Sequence, residues 1–204
     1  MISPLANVSS KAKIGNNVTI EAFATVYDDV EIGDNTHIHP NALIYPDTII
    51  GSNCQIFPGA IIGVVSQDLK YKGEKAITVI GNNTIIREYV TVHKGTSDRM
   101  TTKVGDNCML MAYVHVAHDC IIGNNVILAN YTGLAGHVTI DDFVILEGMC
   151  AVQQFVHIGA HSFLAGASKV RKNVPPYIRV AREPLQYIGV NTVGLARRGY
   201  EKEV

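Results

Sequence analysis

The chain has 204 residues, 47% of them hydrophobic and 17% charged, with a formal net charge of −1. That balance suits a folded protein of one large domain or two small ones, and it excludes a general electrostatic attraction to nucleic acid. No apolar stretch approaches the ~18 residues that a membrane-spanning helix needs, and Met1 to Ser10 has neither the basic start nor the apolar run of a signal peptide.

From the N-terminus, aliphatic residues recur at every sixth position: Ile2, Val8, Ile14, Ile20, Val26, Ile32, Ile38, Ile44, Ile50, Ile56 and Ile62. Helices repeat near 3.6 residues and flat strands at 2, so a period of six is an internal repeat. Four residues after each aliphatic comes a small or β-branched one, as at Ala6, Ala12, Val18 and Ala24. A large residue followed by a small one describes short strands joined by tight corners. Three strands complete a triangular coil of 18 residues, and coils stack as a parallel β-helix at a strand spacing of about 4.8 Å. Corners read Gly15-Asn16-Asn17, Gly33-Asp34-Asn35 and Gly51-Ser52-Asn53. Glycine and asparagine tolerate the left-handed backbone region that sharp corners need.

The ladder breaks twice. Residues 68–78 put Asp68 and Glu74 at aliphatic slots, and residues 94–103 put Asp98 at another. Both stretches read as loops leaving the prism, and loops that interrupt a regular scaffold often carry function. Ile80, Ile86 and Val92 restore the ladder between them, and from Val104 to Val170 it runs unbroken. The aliphatic rungs make about nine coils, a prism roughly 40–45 Å long. Cys54, Cys108, Cys120 and Cys150 all fall at the small position and have no CxxC spacing, so they read as reduced core fillers in a reducing compartment.

Pro175-Pro176 follow the last rung, and proline cannot continue a hydrogen-bonded stack, so residues 171–190 read as irregular. From Asn191 a short helix is expected, capped by Asn191 or Thr192. The expected organisation is a β-helix domain over 1–170 and, over 171–204, a connector leading into the start of a helical domain. Residues 165–204 hold eight Lys/Arg and three acids, including Glu201, Lys202 and Glu203. This basic end reads either as an exposed polar tail or as a docking surface for an acidic partner or phosphates.

The coil length is a ruler. Residues 18 apart stack, so His118 lies below Gly136 and Gly136 below Gln154, Asp119 lies below His137, and His115 is one corner from His118. One chemical reading is general-base catalysis. A neutral imidazole accepts a hydroxyl proton near pH 7, an adjacent carboxylate orients it, and a free Gly136 N–H could stabilise an oxyanion. A second is a zinc site built from His93, His115, His118 or His137, as in the γ-class carbonic anhydrases. A third treats the histidines as incidental stacks on a structural scaffold.

Several stretches together resemble one family. Gln67-Asp-Leu-Lys-Tyr71, Val90-Thr-Val-His-Lys-Gly-Thr96, His115-Val-Ala-His-Asp-Cys120, Leu134-Ala-Gly-His137, Gln154-Phe155, Val174-Pro-Pro-Tyr177, Gly189-Val-Asn191 and Arg197-Arg-Gly199 are similar to motifs of the UDP-N-acetylglucosamine O-acyltransferases of lipid A synthesis, the LpxA family. The resemblance implies an all-β fold, a left-handed parallel β-helix of hexapeptide repeats; the period alone does not give the hand. It implies transfer of a 3-hydroxyacyl group from acyl carrier protein to the glucosamine 3-hydroxyl, in the cytoplasm of a Gram-negative type of bacterium. His118 matches the general base, Asp119 its orienting acid and Gly136 the oxyanion donor. Asp68, Lys70, His93, His115, His137 and Gln154 match positions that hold the sugar nucleotide or shape its pocket. Asn191, Arg197 and Arg198 match positions near the nucleotide and the carrier's pantetheine arm, and Gly166 lies where the family sets acyl length. The family is a homotrimer with sites between subunits and needs no metal or bound cofactor. Three departures stand out: Gln153 replaces a frequent histidine, Val193 replaces a frequent glutamate, and the family runs on into a helical domain where this sequence reaches Val204. The first two bear on nucleotide contacts and the third on carrier binding. Another hexapeptide acyltransferase with a different donor or sugar is the nearest alternative.

Overall fold

In the ladder, each rung is the inward-facing residue of a short strand. The computed structural model describes residues 1–200, and most strands have two residues, such as Asn7–Val8, Lys13–Ile14 and Thr19–Ile20. The first residue of each pair faces outward, while the rung behind it is buried from Ile20 to Val170. The strands form three sheets of nine, eight and ten strands, the faces of a left-handed parallel β-helix. We call them the first, second and third faces, beginning at Asn7, Lys13 and Thr19 respectively.

On the third face Ile20, Ile38, Ile56, Ile86, Leu110, Leu128, Leu146 and Leu164 register one above another as a continuous column, each no more than 1% exposed. Burying each such side chain stabilises the fold by about 1.5–3 kcal/mol relative to exposure. The small position also carries hydrogen bonds. The Thr36 hydroxyl donates to Gly51 O and the Thr84 hydroxyl to Gly105 O, both at 2.8 Å. The four free cysteines do the same more weakly, with Sγ 3.0–3.3 Å from a carbonyl of the next coil. Burial pushes the Cys108 thiol up to about 11 and the Cys120 thiol up to about 12.

The corners depart from the sequence reading. Asn17, Asn35, Asn53, Asn83, Asn107 and Asn125 are left-handed as expected, with φ of 53–58°. The corner glycines are not, and their role is close approach. A Cβ on Gly33 would lie 2.7 Å from the Gly51 carbonyl carbon, and one on Gly81 would lie 2.5 Å from that of Gly105. On the other two edges the left-handed position is taken by Tyr89, Tyr113, Tyr131, Asp119, His137 and Phe155, among others. A left-handed residue with a Cβ costs about 1–2 kcal/mol. Stacking across coils offsets part of it, as in Tyr113 on Tyr131, with ring centroids 5.0 Å apart.

Both excursions leave from the edge between the first and second faces. Ile61 pairs with Thr91, thirty positions on, and Thr91 pairs with His115, twenty-four on, instead of eighteen. The first excursion therefore adds twelve residues and the second adds six. The first starts and ends earlier than the expected 68–78, and the second is tighter than the expected 94–103. Strands run over Ile61–Val64 and Ile77–Ile80, then over Thr91–His93 and Thr101–Val104. The small position explains the early return: Thr78 and Thr102 are fully buried and pair with each other.

The stack does not stop at Val170, and residues 171–190 are not irregular. Val174 bridges Ile158, Ile178–Ala181 continues the third face in parallel with Phe163–Leu164, and Gln186–Val190 turns back antiparallel. Pro175-Pro176 form the corner, where no ladder donor is needed, and the Ser162 hydroxyl donates to Pro175 O at 2.8 Å. A five-residue helix, Thr192–Ala196, follows with Asn191 as its N-cap. Glu201, Lys202 and Glu203 of the basic end lie outside the described residues. No helix of the described residues is long and apolar enough to cross a membrane.

Candidate active site

The edge between the first and second faces gathers both excursions and the histidine corners. His118 and Asp119 form the corner after strand His115–Val116, and Gly136 and His137 form the corner one coil on. The eighteen-residue ruler holds. His137 N donates to His118 O at 3.0 Å, and a Cβ built on Gly136 would lie 2.5 Å from His118 Nε2.

Asp119 is fully buried and makes a full set of hydrogen bonds. Its Oδ1 accepts the amides of Thr96 at 3.0 Å and Arg99 at 3.2 Å. Its Oδ2 accepts the Thr96 hydroxyl at 2.6 Å and meets His118 Nδ1 at 2.9 Å. Burial pushes the carboxyl up, but the Thr96 hydroxyl, His118 and the Thr96 amide together outweigh burial and hold it below the usual range. An ionised carboxylate only accepts, so His118 Nδ1 is the donor and the Nε2 lone pair faces outward. Asp68 Oδ2, from the first excursion, lies 3.8 Å from that nitrogen.

Among the described residues the Gly136 N–H makes no backbone hydrogen bond. On the edge of Gly-Asn corners the equivalent amides are taken: Asp106 N donates to Asn124 Oδ1 at 2.8 Å and Asn124 N to Asp142 Oδ1 at 2.7 Å. One coil above Gly136 stands Gln154, whose side chain is exposed instead of turned down as such a cap. A base and a free amide thus lie side by side, with no side chain at 136 between them.

His137 stacks on Phe155 at 4.6 Å, meets the His118 ring edge-on at 5.0 Å, and has Nε2 3.8 Å from Asp119 Oδ2. His93 and His115 lie on the coils below, their rings 5.1 Å apart; His93 Nδ1 meets Val65 O at 2.7 Å and His115 Nδ1 meets the Thr91 hydroxyl at 2.8 Å. Burial lowers the pKa of all three, so they stay neutral in the folded chain near pH 7. Lys70 is exposed on the first excursion, where its amide donates to Asp68 Oδ1 at 2.9 Å.

The remaining nominated residues lie on other edges. Asn191 is buried, donating to His161 O at 2.7 Å and capping the helix through Gly194 N at 3.3 Å. Arg198 lies over the Phe143 ring at 5.1 Å, and Arg197 is exposed at the helix end. Gly166 N donates to Glu147 Oε2 at 2.9 Å. Neither Thr96 nor Arg99 stands out as a site residue in the sequence: Thr96 closes the stretch Val90-Thr-Val-His-Lys-Gly-Thr96, and Arg99 lies where the ladder breaks around Asp98.

The three-histidine zinc arrangement is not formed. His118, His137 and Asp119 are the ones whose donor atoms converge, and the Nδ1 of His118 is already bonded to Asp119. Glu21, His37 and His39 make a second convergent group, on the edge between the third and first faces.

Comparison with known proteins agrees with this geometry. A family model described as bacterial transferase hexapeptide (six repeats) matches residues 11–46, 29–63 and 101–136. A model described as Udp N-acetylglucosamine O-acyltransferase, domain 2, matches residues 173–204. An acyl-[acyl-carrier-protein]–UDP-N-acetylglucosamine O-acyltransferase of Pseudomonas savastanoi is 48% identical over 143 residues, 70% of this chain and 55% of that protein. One from Aliivibrio fischeri gives the same figures. The match thus spans little more than half the length of these curated relatives. Among solved structures, LpxA from Bacteroides fragilis superposes with a TM-score of 0.98 at 46% identity, covering 100% of this chain and 80% of that one. The Francisella novicida UDP-N-acetylglucosamine acyltransferase gives 0.98 at 43% identity, covering 100% and 75%. With 46% identity and a TM-score of 0.98 over its whole length, the chain belongs to the UDP-N-acetylglucosamine acyltransferase (LpxA) family.

Proposed function

We propose that the chain transfers a 3-hydroxyacyl group from acyl carrier protein to the 3-hydroxyl of UDP-N-acetylglucosamine, the first step of lipid A synthesis, in the cytoplasm. The observation that carries this reading is the outward Nε2 of His118 beside the free Gly136 N–H, with Asp119 bonded behind it. His118 Nε2 takes the proton of the sugar hydroxyl as its oxygen attacks the thioester carbonyl. Negative charge gathers on the carbonyl oxygen, where the Gly136 N–H stabilises it by about 3–4 kcal/mol. The thiolate then leaves and takes the proton back from His118. The products are an ester on the sugar nucleotide and a free carrier thiol. No side chain is acylated: Cys120 is fully buried and neutral.

Asp68, Lys70, His93, His115, His137 and Gln154 line the same edge and hold the sugar nucleotide. Asn191, Arg197 and Arg198 sit on another edge, which supports a homotrimer whose sites join the edge of one subunit to that of its neighbour. In that assembly the basic C-terminal end meets the acidic carrier protein. The decisive test is His118→Ala, which abolishes transfer while the fold persists. Full transfer by that variant would overturn the assignment.

A further inference from the structure

Three of the four hydrogen bonds on the Asp119 carboxylate come from residues 96–99, the second excursion. The hexapeptide ladder has no use for these six extra residues. The excursion bends back on itself, with Met100 N donating to Thr96 O at 2.8 Å, and presses Thr96 into the prism until it is 6% exposed. Gly95 permits that approach, since a Cβ there would lie 2.3 Å from Thr101 N and 3.0 Å from Asp119 Oδ1. The Asp119 backbone is clamped from the same side: its N–H donates to the Thr102 hydroxyl at 2.8 Å, and Arg99 Nη1 donates to its O at 2.9 Å.

Resting on the functional reading above, we propose that Thr96 is a positioning residue for acyl transfer, its hydroxyl holding the Asp119 carboxylate in the orientation that keeps the His118 proton on Nδ1. The Thr96 hydroxyl and His118 Nδ1 share one oxygen, Oδ2, at 2.6 and 2.9 Å. The other oxygen is tied to two amides. If a methyl group replaces the hydroxyl, Oδ2 has only the imidazole to hold it. The buried charge then turns toward the amide donors of Thr96 and Arg99 and away from the ring. Without a fixed acceptor at Nδ1 the imidazole samples both tautomers, and the one protonated at Nε2 cannot accept the sugar proton.

The excursion has a second anchor that leaves the fold independent of this hydroxyl. Lys94 is 6% exposed, and its Nζ meets Pro46 O at 3.2 Å and Asp47 Oδ2 at 3.3 Å. Thr96→Val therefore keeps the loop in place through Lys94, Gly95 and the Thr96 amide.

The test compares wild type, Thr96→Val and Thr96→Ser by steady-state kinetics with 3-hydroxyacyl carrier protein and UDP-N-acetylglucosamine, and by nitrogen-15 NMR of the His118 ring. Thr96→Val lowers kcat about tenfold, the weight of one hydrogen bond to a charged group. It leaves the KM for UDP-N-acetylglucosamine within about twofold, because Thr96 touches Asp119 and not the pocket lining. The ring changes from one Nδ1–H tautomer to a mixture, and Thr96→Ser restores both readouts. A Thr96→Val protein with wild-type kcat and an unchanged ring spectrum overturns the proposal, as does a serine variant as impaired as the valine one. A wild-type protein that transfers no acyl group overturns the functional reading instead, and the ring spectra alone then decide the role of Thr96.

Discussion

Replacing Asp119 with asparagine changes one atom and reverses the proton arithmetic of the site. The carboxylate accepts four hydrogen bonds, two on each oxygen. An asparagine accepts on one side and donates on the other. Its oxygen stays with the two amides of Thr96 and Arg99, which are backbone donors and cannot turn. Its NH2 then faces the Thr96 hydroxyl and His118 Nδ1. The hydroxyl rotates to accept, but the imidazole can accept at Nδ1 only by moving its proton to Nε2. The lone pair that would take the sugar proton is lost from the outward side. General-base catalysis of this kind contributes about 10²–10⁴ in rate, so kcat falls by about that factor. Packing is preserved, because the side chains are isosteric, and among these groups only the Thr96 hydroxyl proton gives up its acceptor. The assay is transfer to UDP-N-acetylglucosamine at saturating substrates, with thermal melts to confirm folding and nitrogen-15 NMR to identify the protonated ring nitrogen. If Asp119→Asn kept kcat within about threefold while His118 carried its proton on Nε2, the assigned base atom would be wrong.

Gly136→Ala places a methyl group 2.4 Å from His118 Cε1 and 2.5 Å from Nε2, on a ring that Asp119 already holds, and no strained backbone conformation is involved. The ring must move by a large fraction of an ångström, which costs on the order of 10² in kcat with little loss of stability; near-normal turnover would show that the face above Nε2 is not where the reaction occurs. Stability also falls with acid in two stages. Burial lowers the folded pKa of His39, His93, His115, His137 and His161, so the unfolded chain binds protons more readily, and stability declines as pH drops below about 6.5 toward the folded values. Asp119, whose folded pKa is depressed, contributes stability above about pH 4 that is lost as pH falls through its folded value. Urea titrations from pH 8 to 3 check the sign, and a midpoint that rises between pH 6.5 and 5 would contradict it.

The period of six carried most of the architecture. It placed the rungs as far as Val170, put His118 under Gly136 and Asp119 under His137, and sent the cysteines inward. Its reach ends where the chain leaves the prism. Thr96 and Arg99 touch Asp119 across a loop with no fixed register, so spacing could not pair them with it. Tyr89, Tyr113 and Phe155 adopt left-handed corners that propensity would reserve for asparagine, because the coils on either side impose the backbone. Pro175-Pro176 looked like a stop signal, since a missing donor matters within a strand; at a corner it does not, and Ile178-Arg179-Val180 resume the third face beyond it. Asn191 was legible as a helix cap, but its bond to His161 O needed the fold to bring a residue thirty positions away beside it.

On the first face the strand that carries His115 is sixth of nine. In a stack where each layer touches only its neighbours, thermal fraying starts at the outermost layers and works inward. The proposed proton-transfer site is therefore insulated by intact layers on both sides. Loosening it means unzipping several of them in succession, whereas the outermost layers open and close without disturbing the chemistry.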